Sequence, residues 1–439
     1  MSGRTVVAVD ATFDDRLSVR LLVSPQNYPR AVHPRLFECS PGDLPAWTVE
    51  GAVAKYGRLL REKLTAAHEA VRDALADSLR APAGEVRPVY FMITAEPAEG
   101  LHWEALCMDN GSFLALDRRW PIGRMAHSGR DWSAAGPRPF APPLRMLAVI
   151  SALGVDGRNE WRRLYEAVKN VRQAGLAVRL RVLVGEEPLL EELRALPAGE
   201  VEFDTLKAGG EQLENEVNAF APHILHFFCH GTTSFGPRLE FATIADRDQD
   251  DRATGSITLS ASQLVNLQAM KQLWLVTLNS CEGAKGGSEV RSLAHTLVAD
   301  GGVPAVVGMA EPVDASDAHA FCGAFYGAVL EDIRVAAQTP PGASAELEWA
   351  RGLYSPRRRL AEAHQDAAQS RQWLLPVLYV GVAPFAIQSV PATADPAVRT
   401  RASLVEEAIR TLGPDAPPAV IQELRALLDA PSTPSPGGG

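Results

Sequence analysis

Cysteine is scarce and scattered in this sequence: five thiols, at positions 39, 107, 229, 281 and 322 of 439, an odd total without a CxxC pair. That spacing fits reduced thiols better than a disulfide framework or a zinc site, and leaves one of them free to act as a nucleophile. No stretch approaches the ~20 apolar residues of a membrane span. The opening MSGRTVVAVDATF meets charge too early for a secretory signal, so the expected compartment is the cytoplasm and no membrane partner is expected. Positive charge is not in excess either: 43 Lys and Arg stand against 53 Asp and Glu, for a net charge of −10 and a pI near 5.6. A nucleic-acid footprint needs a basic face, so nucleic acid is not an expected partner. The one compact basic run, Arg357, Arg358 and Arg359, reads as a solvated helix end. A nucleotide-binding GxGxxG or GxxxxGK[ST] between strand and helix is missing, and so is any 34-residue repeat.

What is present is enough apolar residue, 46%, to fill ordinary cores in a chain long enough for two or three domains. Residues 4–24 alternate apolar and polar as a strand pair. Apolar positions at Leu60, Leu64, Val71, Leu75 and Leu79 predict one long amphipathic helix over 48–80. Residues 88–95 and 111–117 read as strands, and the Gly- and Pro-rich stretch 128–143 as a linker. From 144 the rhythm becomes βαβα, with buried strands at LRMLAVIS, LAVRLRVLVG, HILHFFC, LWLVTLN and VPAVVGM and helices between them. Such alternation predicts a largely parallel sheet covered on both faces. Residues 397–412 and 417–429 read as two short helices, and the tail PSTPSPGGG as disordered.

Functional groups in an open parallel sheet gather beyond the carboxyl ends of the strands. One apolar strand here delivers His230 and Gly231, another Asn279, Ser280 and Cys281, about 50 residues later. If the two strands are neighbours, imidazole and thiol face each other, as a Cys–His nucleophile pair requires: a base for the thiol and an acid for the leaving amine. With a period of two, His226 shares the face of His230, while Cys229 points away from it and belongs to the core. His223 and His226 are assigned to packing or backbone hydrogen bonds, and Cys322 to the core.

Several segments together resemble the CHAT proteases, relatives of caspases and separases in the caspase-like peptidase superfamily. They are LHWEAL at 101–106, HILHFFCHG at 223–231, LWLVTLNSCEGA at 273–284, the block 292–330 and WLLPVLYVG at 373–381, so that the resemblance spans roughly residues 85–388. It implies a three-layer caspase-like α/β fold with a largely parallel central sheet, residues 144–390 forming the protease domain. Residues 1–130 would be a pseudo-caspase-like α/β region, 391–430 a C-terminal helical pair and 431–439 a tail. It further implies Cys281 as nucleophile and His230 as acid/base. The backbone N–H groups of Gly231 and Cys281 would form the oxyanion hole, and neither metal nor organic cofactor is needed. Trp103 and Glu104 match the family and are read as structural.

Relatives are often switched on by a partner in defence or regulated death, so a protein substrate and an activating protein are the implied partners. The competing class is a silent caspase-like scaffold. In several basic-specific members of the superfamily, an acidic residue two places before the nucleophile lines the primary pocket. Asn279 holds that place, which predicts cleavage after an uncharged residue. The acidic run 245–251 begins like a calcium loop but has Asp251 where the turn needs Gly and Ile257 where the bidentate Glu belongs, and reads as a surface loop.

Overall fold

The computed structural model describes residues 3–126, 136–232, 238–247, 254–280 and 287–390, apart from Asp15, Thr48, Glu50 and Ala83, with Val420 beyond them. The expected helical pair at 391–430, Val420 aside, and the tail at 431–439 lie outside the described residues. The strands are β1 (Thr5–Ala11), β2 (Leu17–Val23), β3 (Arg35–Phe37), β4 (Val89–Ile93), β5 (Ile122–Met125), β6 (Arg138–Phe140), β7 (Leu144–Ile150), β8 (Val178–Val184) and β9 (Glu202–Thr205). Then come β10 (Ile224–Thr232), β11 (Arg238–Phe241), β12 (Ile257–Ser260), β13 (Leu275–Ser280), β14 (Ala305–Met309), β15 (Ser344–Glu346), β16 (Pro376–Val380) and β17 (Ala386–Ser389). The main sheet runs β3-β2-β1-β4-β5-β16-β14-β13-β10-β7-β8-β9, with β11 and β12 extending from β10. A separate small sheet has the order β15-β17-β6.

The sheet is two parallel blocks set side by side. From β14 to β9 every neighbour is parallel, and so are β1, β4, β5 and β16 among themselves. The antiparallel pairing of β14 with β16 joins the blocks and reverses their direction. The apolar runs that form these strands alternate cleanly between two cores. Met146, Ala148, Ile150 and Phe228 fill one face, and Leu147, Val149, Phe227 and Cys229 the other. Helices cover both faces, which gives the three-layer α/β architecture expected.

Several local expectations give way to tertiary structure. The long helix breaks at His68, whose extended backbone (φ −143°) separates Ala52–Ala67 from Glu69–Leu79; the ring caps the second helix by accepting from the N–H of Ala70. Residues 111–117 are not a strand. Phe113 bridges Cys107 and Leu114–Leu116 is a single 3-10 turn, because the run is buried against Trp373 rather than laddered. Within the stretch read as a linker, Arg138–Phe140 pairs with β17. Arg357 is not solvated: it is wholly buried and donates to the carbonyls of Ile122 and Pro376, strapping β5 to β16.

Candidate functional site

The chain leaves β7 toward β8 and β9 on one side, then returns through β10 toward β13 and β14 on the other. The strand order therefore reverses between β7 and β10, the place in an open parallel sheet where ligand crevices form at the carboxyl ends of strands. β10 lies between β7 and β13 in register: Phe228 pairs with Ile150 on one side and with Asn279 on the other, and Cys229 pairs with Ser280. His230 is the next residue of β10. Cys281, the next residue after β13, lies outside the described residues, as do 248–253.

At this reversal His230 Nε2 lies 2.7 Å from the carbonyl oxygen of Leu153, in the loop that follows β7. A carbonyl can only accept, so Nε2 carries a hydrogen, and in the tautomer this fixes the lone pair lies on Nδ1. Nδ1 is buried and has no hydrogen-bond partner among the described residues. An imidazole fixed at one nitrogen and bare at the other is oriented to take a proton.

The backbone around His230 is held by a hairpin. β11 pairs antiparallel with the end of β10, His230 against Glu240 and Gly231 against Leu239, and β12 pairs with β11. The hairpin also grips the β7 loop: the Ala242 N–H donates to Ser151 Oγ (3.0 Å) and the Ser151 N–H to the Phe228 carbonyl (2.8 Å). Gly185 lies against the same contact, where an added Cβ would sit 2.0 Å from the Ala242 carbonyl and 2.2 Å from Ser151 Oγ. Asp246, first of the acidic run, is buried and accepts from the backbone N–H groups of Thr243 (2.8 Å) and Ser256 (3.1 Å), closing the hairpin's base.

Beneath the strand ends lies a wholly buried polar layer centred on Glu160, in the first turn of the Arg158–Gln173 helix. Its carboxylate accepts from Asn279 Nδ2 (2.7 Å) and His319 Nδ1 (2.8 Å). His226 Nε2 lies 3.1 Å from Glu160 Oε1. On its other side His226 meets the Tyr326 hydroxyl (3.1 Å), which donates to Thr277 Oγ1 (2.9 Å). Burial pushes the Glu160 carboxyl up, but the hydrogen bonds and charge of His226 and His319 outweigh it and hold it at about 2. Glu160, His226 and Cys322 also place metal-capable atoms within 4.8 Å of one another, although the carboxylate is already engaged by Asn279 and His319.

This layer corrects two expectations. Asn279 does not line an open pocket: it is wholly buried, and its amide nitrogen is spent on Glu160 and on the Ala318 carbonyl (3.1 Å). His226 belongs to a side-chain network rather than to packing or backbone bonds. His223 does accept from backbone, the Arg145 N–H at 3.1 Å, and stacks on Trp274; burial pushes its ring down to about 3. Cys229 and Cys322 are buried, and burial raises both thiols far above their ordinary value. Glu160 had left a trace in the sequence, since it occupies the apolar stripe of its helix with Leu164, Ala167, Val168 and Val171. The Leu153 carbonyl left none, because a backbone group has no residue type.

The fold defines an α/β protein with a histidine at the topological reversal of its sheet. Residues 165–373 match the CHAT domain family, and the chain carries a domain of that family. A likeness also extends to separase from Saccharomyces cerevisiae in the crystal structure of its complex with securin, at 14% identity and a TM-score of 0.33. It covers 75% of this chain and only 17% of that one. No curated protein matches the chain. Among the described residues, no helix is long and apolar enough to cross a membrane.

Proposed function

We propose that the chain is a cysteine endopeptidase in which Cys281 is the nucleophile and His230 its acid/base partner. The observation that carries this reading is the His230 ring, tied at Nε2 to the Leu153 carbonyl, with an Nδ1 that has no hydrogen-bond partner among the described residues, on the strand beside the one that leads into Cys281. The Cys281 thiol gives its proton to Nδ1, and the sulfur attacks the scissile carbonyl. The resulting oxyanion is received by the N–H groups of Gly231 and Cys281. The C–N bond then breaks, the amine takes the proton back from the imidazolium, and water hydrolyses the thioester. No metal or organic cofactor takes part.

The substrate is a protein, and a second protein in a bacterial defence or regulated-death system switches the enzyme on. Cleavage follows an uncharged residue such as Leu or Met, since two acids among the described residues near the strand ends are already engaged. Glu160 is held by Asn279 and His319, and Glu311, just past β14, pairs with Arg371 at 2.8 Å. An unpaired cationic side chain buried there would cost several kcal/mol.

The test is co-expression of wild type, Cys281→Ala and His230→Ala with proteins encoded nearby, with cleavage sites read by mass spectrometry. Wild type should cut after an uncharged residue, and both variants should lose cleavage while staying folded. Full cleavage by Cys281→Ala would remove the assignment. A folded wild type that cleaves nothing in any combination would favour the scaffold.

A further inference from the structure

The loop that orients His230 is itself held by one side chain from outside it. Arg247 ends the short Ile244–Arg247 helix of the β11–β12 connection. Its Nη2 donates to the carbonyls of Ala152 (2.6 Å) and Val155 (3.1 Å), and its Nε to that of Gly185 (3.1 Å). Ala152 and Val155 flank Leu153, and a turn links them: the Val155 N–H donates to the Ala152 carbonyl, with Gly154 at φ +77°. Glu186, almost wholly buried, steadies the arrangement, with one carboxylate oxygen accepting from the Gly157 N–H (2.7 Å) and the other 3.4 Å from Arg247.

We infer that Arg247 is a positioning residue for the reaction: it fixes the 152–155 turn so that the Leu153 carbonyl meets His230 Nε2 and keeps Nδ1 aimed at the nucleophile. The inference rests on the peptidase reading above. Three carbonyls in different directions call for a planar fork of donors. A lysine ammonium at the same place is a point charge that cannot hold all three at once. Arg247 acts through the backbone carbonyls it holds. Its effect passes through the turn, and a displacement of about 1 Å at a reacting pair costs on the order of 100-fold.

The test needs no substrate. The full-length protein is treated with iodoacetamide near neutral pH, and alkylation of Cys281 is followed by residue-resolved mass spectrometry, with buried Cys229 and Cys322 as internal references. In wild type Cys281 should label much faster than the references. Arg247→Ala should slow it about 10- to 100-fold without changing the urea midpoint of the whole chain. Added guanidinium ion should restore part of the rate, which it would not do for a residue that only fills space. Arg247→Lys should fall between, and it carries the test if Arg247→Ala does not fold. Arg162→Ala, which removes an exposed pair with Glu192, should leave the rate unchanged. Equal labelling of Cys281 in wild type, Arg247→Ala and Arg247→Lys would overturn the positioning role and leave the peptidase reading standing. A wild-type Cys281 as inert as Cys229 would overturn both.

Discussion

Glu160 and His230 show how differently single residues announce themselves. His230 closes an apolar strand before a glycine, a pattern visible in one dimension. Glu160 stands on the buried stripe of a helix, and its partners come from two strands and a second helix: His226, Asn279 and His319. Removing one partner from such a buried charge cluster leaves the others uncompensated, which costs about 3–5 kcal/mol. Glu160→Gln should therefore lower the unfolding free energy in urea by about that amount, and a loss under 1 kcal/mol would show that the layer tolerates a neutral amide. The same cluster explains why the neutrality of Asn279 was readable but its direction was not. Side-chain type is a property of the sequence, while the choice between a pocket and Glu160 depends on which helix packs beneath the strand.

At the scale of elements, the β11–β12 hairpin does the most to set the site. It extends β10 past the sheet, holds the backbone of His230 and Gly231, and locks to the β7 loop through Ser151 and Ala242. Gly185 is the point of closest approach. Gly185→Ala forces a Cβ into the Ala242 carbonyl and the Ser151 hydroxyl, and should cost about 1–3 kcal/mol of stability in chemical denaturation. A neutral result would mean that the hairpin can slide. Little of this hairpin was legible, because its strands are four residues each and pair only with one another and with the extension of β10. The β7, β8, β10, β13 and β14 strands were legible because each is rich in buried apolar residues. The run at 111–117 misled for the same reason: burial against Trp373 makes an apolar stretch without making a ladder.

For the whole molecule, the block formed by β1, β4, β5 and β16 holds a buried polar cluster of its own. Arg124 on β5 is wholly buried and donates to Glu104 at 3.0 and 2.9 Å, while Arg357 crosses from β5 to β16. Burial pushes the Glu104 carboxyl up, but the Arg124 guanidinium outweighs it and holds it at about 2, as His226 and His319 do for Glu160. A carboxyl held below its ordinary value contributes stability that is complete above about pH 4.5 and is lost as pH falls toward 2. His223, held down near 3 by burial, acts in the same direction over a higher window: the unfolded chain takes up its proton first, so that contribution is complete above about 6.5 and lost toward 3. The urea midpoint should therefore fall in two overlapping stages below pH 6.5, and a midpoint constant from pH 7 to 3 would contradict both assignments.

Residue identity and short-range pattern determined the class of fold, the five apolar strands β7, β8, β10, β13 and β14, and the place of His230 at the end of one of them. These rest on burial and periodicity, which act within a few residues along the chain. The antiparallel seam of β14 with β16, the Glu160 layer, the reach of Arg247 and the Leu153 carbonyl under His230 were decided only in three dimensions. Each rests on contacts far apart in the chain, such as Arg247 with Gly185 at 62 residues or His319 with Glu160 at 159, and contacts at that separation are set by which elements pack, not by which residues follow one another.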